Sequence, residues 1–511
     1  MFGVSATVAL AGMTYYLYRS REDRQPQKPV PNTTDELDVK NVGDKVVQEE
    51  DVLPDDSEEE EDDELEDFLP VIEALNLRAL KRVALQTHLS RLSSPPTSPE
   101  KDLTCVINAE PTSGSFNLVY FITFSDGSKM VARLPGKGNQ FEELDRKKMD
   151  HEYQSMQLIR ARTTIPIPEV LTWQTTSHQI GVPFALISFM PGKQICDLWF
   201  DETWVSEAKR LRILDQIAEH MSKLHNVEFE SGVGAPLFDD RGQLAGVGPI
   251  YDYLSGIESP VAWHVIQTSG PWSSIEQYRS DRCKEAEVDY DGDANTLVMR
   301  LASESIPIYM NGRGKTYIAH PDFAWHNIFV DDDANITAFI DWDSLTITSC
   351  SLGFGRYPSW LTRDWDPAMY GYQDDEEIPD DMVEESTPEE LSRYRQHYAS
   401  AFRRLAVPHY DPRETQLSHV VEAIHIGSGS RLSRDWIVPK LLCHAFRGKV
   451  PFNYKDFVGE YSAGNGESTI EVIKEGFAKM WYAEWEASLS EQAVIYRCST
   501  DHWRAMAGYE D

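Results

Sequence analysis

The sequence predicts an α+β fold of two parts, a small antiparallel sheet followed by a mostly helical half. Three observations predict it. Between Leu103 and Pro135 the chain reads as a strand meander: Leu103–Glu110, Asn117–Phe124 and Lys129–Pro135, the last two joined by the turn Ser125-Asp-Gly-Ser128. Val182–Met190 is a nearly continuous apolar run, suiting a buried strand, and it stops at Pro191-Gly192, the predicted hinge between lobes. Beyond it, Leu211–His225, Leu391–Leu405 and Ile470–Cys498 carry the apolar spacing of helices.

With 511 residues and 41% hydrophobic content, the chain can bury one or two large cores. A formal net charge of -36 argues against nucleic-acid binding, because phosphates are repelled. Close to half of that charge falls between Asp35 and Asp67, so the remainder is only moderately acidic. The six cysteines are scattered, with no Cys-x-x-Cys and no zinc spacing, which fits reduced thiols in a cytosolic compartment.

Phe2–Tyr18 is apolar and is followed by Arg19-Ser-Arg21. It is slightly short for a spanning helix and diluted by Ser5, Thr7 and Thr14, so residues 1–21 are a candidate membrane segment and residues 2–18 the candidate membrane contact. If the segment inserts, the arginines keep the rest of the chain in the cytosol. Residues 22–67 are charged, proline-containing and poor in aromatics, the composition of a disordered linker. The folded domain is expected from Phe68, with a helical pattern through Arg91 that Ser93-Ser-Pro-Pro-Thr-Ser-Pro99 ends.

Within the sheet, Pro111-Thr-Ser-Gly114-Ser115-Phe116 is a candidate phosphate-covering loop, weak alone because it holds one glycine. Met149–Ala161 reads as a helix with Tyr153, Met156 and Ile159 on one face. Residues 231–315 form a long insertion rich in Gly, Trp and Tyr. Asp374–Asp381 with Glu384-Glu385 reads as an exposed acidic loop. Trp199, Trp325, Trp342 and Trp481 read as packing residues.

The chemistry is concentrated in Tyr317–Asp343. Two β-rich runs, Asn327–Val330 and Ile336–Ile340, flank the turn Asp331-Asp-Asp-Ala-Asn335 and predict a hairpin. Closing it brings Asn327 and Asp341 opposite each other, with His320-Pro-Asp322 on the loop feeding the first strand. Oxygen ligands so gathered suit Mg²⁺ carrying a nucleotide's phosphates.

His320-x-Asp322-x₄-Asn327, followed by Ile340-Asp341-Trp-Asp343, resembles the corresponding segment of the aminoglycoside phosphotransferases and choline kinase-type enzymes. The resemblance runs from about Leu103 to the C-terminus. It implies a bilobal, protein-kinase-like fold, with a β-sheet N-lobe over 68–190 and a helical C-lobe over 191–511 that contains the hairpin 317–343. It implies that Asp322 receives or orients the acceptor hydroxyl proton, that Asn327 and Asp341 bind Mg²⁺, and that His320 braces the loop. Gly114, Ser115 and Asn117 resemble the short nucleotide loop of fungal members. The third strand carries Arg133 where the wider pattern has a phosphate-gripping lysine. Arginine keeps the charge, and Glu152 on the following helix is its expected partner. Adenine is expected on the main chain of Ser188, Phe189 and Met190. Gly353-Phe-Gly-Arg-Tyr-Pro358-Ser-Trp resembles a further segment of fungal members.

The implied activity is ATP- and Mg²⁺-dependent phosphoryl transfer to a hydroxyl of a small-molecule acceptor. Two rivals stand beside it. One is a protein kinase on the same fold, disfavoured because Asp322 follows His-Pro and no Ala-Pro-Glu closes an activation segment. The other is a nucleotide-sensing scaffold, for which Arg133 and the missing glycines speak.

Overall fold

The computed structural model describes residues 65–92, 103–253, 266–289, 293–368, 370–372 and 384–482. The candidate membrane segment, nearly all of the acidic linker, the acidic loop 374–381 and the helical pattern beyond 482 lie outside these residues. Among the described residues no helix is long and apolar enough to cross a membrane.

Among the described residues, α1 (Leu69–Ala74) and α2 (Leu77–Arg91) precede the sheet. Asn76 caps α2 by accepting from the Ala79 amide at 3.0 Å. The sheet comprises β1 (Cys105–Ile107), β2 (Thr112–Ser113), β3 (Asn117–Phe124), β4 (Lys129–Pro135), β5 (Val170–Gln174) and β6 (Phe184–Ser188). Its order is β1-β3-β4-β6-β5 with β2 on β3, each pairing antiparallel. The expected first strand is shorter than 103–110 because the chain turns after Ile107 and re-pairs as β2.

Alternation decides what the sheet's two faces do. Leu118, Tyr120, Ile122 and Phe124 of β3, with Met130, Ala132 and Leu134 of β4, point to one side and form a core with Phe68, Val71, Leu80 and Ala84. The other side is left to Asn117, Val119 and Phe121 and to Val131 and Arg133, with Val119 directly opposite Arg133. That side roofs the cleft.

Helix α3 (Glu143–Arg162) starts at a capping box between Glu142 and Asp145. Its Met149, Tyr153, Met156 and Ile159 do not join the sheet's core. They share a core with Trp199, Ile213, Leu214 and Phe339 of the second lobe. The helix is thus welded across the lobe boundary.

After the hinge, β7 (Lys193–Gln194) pairs with β14 (Ile328–Val330), which pairs with β15 (Ile336–Phe339). Between them lie α4 (Glu207–Ser222), β8 (Glu228–Phe229), β9 (Ala235–Phe238), β10 (Leu244–Gly248), β11 (Ile250–Tyr253), β12 (Ile266–Ser269), α5 (Ile275–Asp289), α6 (Ala294–Ser305) and β13 (Thr316–Ala319). Among its described residues the insertion 231–315 therefore holds two strand pairs and two α-helices. β16 (Thr346–Thr348) pairs with β13. Further along, the described residues hold α7 (Pro388–Arg404), α8 (Pro412–Gln416), α9 (Ser418–Gly429), α10 (Arg431–Ala445), α11 (Tyr454–Ser462) and α12 (Glu467–Tyr482). α7 begins at a Thr387/Glu390 capping box with Pro388 at its first position. α6, α9, α10 and α12 enclose a second core around Val298, Val420, Leu441 and Phe477.

Inside this lobe Asp364 is 4% exposed and takes a two-pronged pair from Arg395, at 2.6 and 3.1 Å, with Lys440 Nζ at 3.5 Å. Burial alone would raise the Asp364 carboxyl; the two cations hold it below the usual carboxylate range. Asp364→Asn should cost about 3–5 kcal/mol in chemical denaturation at neutral pH, because both cations stay buried. A carboxyl whose folded pKa is depressed contributes stability above its unfolded pKa and loses it as pH falls through the folded value. The gap between wild type and Asp364→Asn should therefore narrow in acid.

The hinge is fixed by one glycine. Gly192 has φ +128°, and a Cβ there would meet Thr337 Oγ1 at 2.5 Å and the Val330 carbonyl oxygen at 2.8 Å. Gly192→Ala should destabilise by more than about 1 kcal/mol, since both the backbone and the contact are incompatible. Chemical denaturation checks this.

Candidate active site

The hairpin is a three-stranded sheet in which Ile328 faces Phe339. Asn327 lies not in the first strand, as expected, but in the 3₁₀ turn Trp325–Asn327 just before it. Its carbonyl still accepts from the Ile340 amide at 2.9 Å, which keeps Asn327 beside the start of the Asp341 loop.

On the feeding loop, the Asp322 carboxylate is held from two sides. Its Oδ2 accepts from His326 Nε2 at 2.8 Å and from Asn327 Nδ2 at 3.0 Å. Burial would lower the His326 imidazole, but the bond to Asp322 raises it above its ordinary value. Asn327 Nδ2 also donates to the Asp322 carbonyl at 3.0 Å, so its amide nitrogen is committed and the oxygen is the atom left to ligate.

His320 is 3% exposed, and burial pushes its imidazole down to about 4. The neutral ring donates from Nε2 to the Ile340 carbonyl at 2.9 Å and packs on Trp342, ring centres 4.5 Å apart. Arg356 closes the loop from behind, donating to the His320 carbonyl at 2.7 Å and pairing with Glu422 at 3.5 Å. These contacts brace the backbone of the loop.

Asp341 and Ser344 both adopt left-handed backbone, φ 60° and 58°, so the Asp341–Ser344 turn is tight. Three elements of the first lobe grip it. Arg133 of β4 forks onto Asp343, Nη1 to Oδ1 at 2.8 Å and Nη2 to Oδ2 at 2.7 Å, and reaches Asp341 Oδ1 at 3.4 Å. Asn117 of β3 donates to Asp343 Oδ2 at 3.2 Å. Glu152 of α3 accepts from the Ser344 amide at 2.8 Å.

The expected Arg133–Glu152 pair is therefore corrected. Lys148, one turn earlier on α3, bonds the same Glu152 oxygen that Ser344 uses, and Asp343 occupies the Arg133 fork. The Glu152 side chain is only 13% exposed, and its desolvation raises the carboxyl above the usual range. Asp343, His326, Arg356 and Lys148 were not assigned from sequence. Asp343 was present in the Ile340-Asp341-Trp-Asp343 segment, but its pairing depends on the left-handed turn at Asp341, which spacing alone does not give.

Asp341 carries charge that Arg133 does not cancel. Burial and the neighbouring Asp343 push its carboxyl up to about 6, although its side chain keeps 46% exposure toward the cleft. Among the described residues no three His, Cys, Asp or Glu side chains form a ready metal cluster. The carboxylate of Asp341 and the amide oxygen of Asn327 are nonetheless hard oxygen donors, and a divalent cation would relieve this excess charge.

At the hinge, the Ser188 amide already donates to the Glu169 carbonyl at 2.9 Å, and Ser188 Oγ accepts from the Glu169 amide at 2.8 Å. The Ser188 amide of the expected 188–190 stretch is thus engaged within the sheet. The Phe189 ring meets Phe121 edge-on at 6.2 Å, beneath the roof strands. Gly114 and Ser115 are exposed on the turn between β2 and β3, where Gly114 donates its amide to the Asn117 carbonyl at 3.0 Å.

A model of the APH phosphotransferase enzyme family matches residues 109–385, more than half of the chain. The chain belongs to this family. Its architecture is the bilobal, protein-kinase-like α+β fold of the family. Clavilactone A biosynthesis cluster protein Y of Ampulloclitocybe clavipes is 22% identical over 267 residues, 48% of this chain and 62% of that protein. A subtelomeric hrmA-associated cluster protein of Aspergillus fumigatus is 28% identical over 166 residues, 31% of each chain. The match thus spans less than two thirds of either relative. Among solved structures, the macrolide 2′-phosphotransferase of Brachybacterium faecium aligns with 80% of this chain and 99% of its own, at 12% identity and TM-score 0.35. The GDP complex of wild-type aminoglycoside 2′-phosphotransferase-IIIa aligns with 77% and 98%, at 13% identity and TM-score 0.34.

A double-mutant cycle tests the site's wiring. Arg133→Lys and Asp343→Asn should be strongly non-additive in stability, with a coupling of about 1–3 kcal/mol. Arg133→Lys with Glu152→Gln should give a clearly smaller coupling. Equal couplings would contradict the reassigned pair.

Proposed function

We propose that this protein is an ATP-dependent phosphotransferase that passes the γ-phosphoryl group to a hydroxyl of a small-molecule acceptor. The observation that carries this reading is the Asp322 carboxylate, fixed by His326 and Asn327 beside the Asp341 loop. His326 and Asn327 both engage Oδ2, which leaves Oδ1 to accept from the incoming hydroxyl. As the acceptor oxygen bonds to phosphorus, its proton passes to Asp322 and ADP departs with the other electron pair. Asn327 and Asp341 are the residues that would hold Mg²⁺, which when bound supplies charge neutralisation on the phosphates.

Arg133 supplies the strand cation. Of its five N–H groups, three are engaged by Asp343 and Asp341, so Nε–H and one Nη1 hydrogen remain for phosphate. Phe121, Val131 and Phe189 offer an apolar roof for the base, and the backbone of Phe189 and Met190 its hydrogen-bonding edge. Gly114 and Ser115 lie on the turn that would cover the phosphates.

One observation favours the scaffold reading as a second: the Arg133 fork is wholly occupied by Asp343. Turnover separates the two. Asp322→Asn should bind nucleotide within a few-fold of wild type and lose nearly all phosphoryl transfer in a metabolite-pool assay. Asp341→Ala or Asn327→Ala should lose the Mg²⁺-dependent part of the thermal stabilisation by ATP. No transfer by the wild type, with ATP binding intact, would favour the scaffold.

A further inference from the structure

Behind the catalytic hairpin, α5, α6 and α9 enclose a cavity that the phosphotransfer reading does not use. Its interior volume is about 10 Å³, and its polar side is lined by Arg279, Arg282, Ser303, His425 and Ser428. Leu352, Val421 and Ile424 make the rest of the wall. Both arginines are more than nine-tenths buried, at 9% and 7% exposure.

Two buried guanidinium groups call for anionic partners. Arg279 donates from Nη1 to Asn311 Oδ1 at 2.8 Å, and Asn311 in turn bonds Glu276, so the nearest carboxylate is one amide away. Burial pulls its guanidinium down to about 10. Arg282 has less. It donates from Nη2 to the His425 carbonyl at 3.2 Å and sits against the Tyr278 ring, 5.8 Å from its centre. Its Nε–H is buried without a partner, as is His425 Nδ1. Asp252 feels the field of Arg282 but forms no ion pair with it, and burial lifts that carboxyl to about 6. Glu422, on the same helix as His425, is taken by Arg356. His425 itself is held neutral by burial and by the surrounding arginines.

We propose that this cavity binds one monatomic anion, chloride in ordinary buffers, seated at the Arg282 Nε–H with Arg279 as the second cation. A halide suits the wall because it is weakly hydrated, accepts from few donors and tolerates apolar neighbours. The interior has room for about one water-sized particle, which excludes a tetrahedral oxyanion. Gly429 shapes the site: a Cβ there would meet Arg282 Nη2 at 2.1 Å, so only glycine leaves the guanidinium in place. The ion would sit one helical turn from Glu422, the residue that holds Arg356 against the catalytic loop.

The test uses the full chain and sodium salts at equal ionic strength. Chloride and bromide should raise the melting temperature over gluconate by a few degrees, saturating with concentration, and Arg282→Met should abolish that difference. Crystals grown in bromide should show an anomalous peak in contact with Arg282 Nε. A saturating halide shift that persists in Arg282→Met would overturn the proposal, as would a wild-type bromide map without that peak. Should Arg282→Met not fold, the wild-type bromide map decides alone.

Discussion

The fork between Arg133 and Asp343 is the contact on which the site depends. It is the strongest kind of ion pair, planar and two-pronged, and it is largely withdrawn from water, with side-chain exposures of 13% and 18%. One end is a strand of the first lobe and the other is the turn that carries Asp341. Closing it sets the spacing between roof and floor of the cleft. The same pair shares its charge with Asp341, so the position of the candidate metal ligand and that of the candidate phosphate cation are coupled in a single three-residue cluster.

This wiring has a consequence for how the lobes communicate. A strand cation paired to a helix carboxylate would be sensitive to motion of that helix. Here α3 is packed into the second lobe's core through Met149, Tyr153, Met156 and Ile159, and Glu152 instead holds the Ser344 amide. The helix therefore stabilises the Asp341–Ser344 turn directly, and the same core also takes in Val170 of β5 and Ala185 and Ile187 of β6. Pro191-Gly192 joins the sheet to the hairpin and is clamped by Thr337 donating to the Pro191 carbonyl at 2.5 Å.

Much of the fold was legible because its local signals agree. β3 and β4 have the expected bounds, since alternation, turn residues and β propensity coincide there. The hairpin and the Asp322, Asn327 and Asp341 constellation were legible because close sequence spacing nearly dictates their proximity. What escaped was set by tertiary choice. Glu152 had three cationic or amide partners within reach, and sequence gives no order among Arg133, Lys148 and Ser344. Arg356 and Glu422 lie 66 residues apart and meet only through the packing of α9 behind the loop. Of the insertion's helices, α5 is charged on all sides and offers little apolar periodicity to read, whereas α6 carries a clear apolar face in Leu297, Val298, Leu301 and Ala302 that was not picked out.

Arg133, aimed by Asp343, is proposed as the cation that meets the nucleotide's phosphates. Calorimetric titration of wild type and Asp343→Asn with adenosine, ADP and ATP, in the presence of Mg²⁺, tests this. Asp343→Asn should weaken ADP and ATP by tenfold or more, roughly 1.4 kcal/mol, and leave adenosine unchanged. An equal loss for all three ligands, or no loss for any, would contradict it.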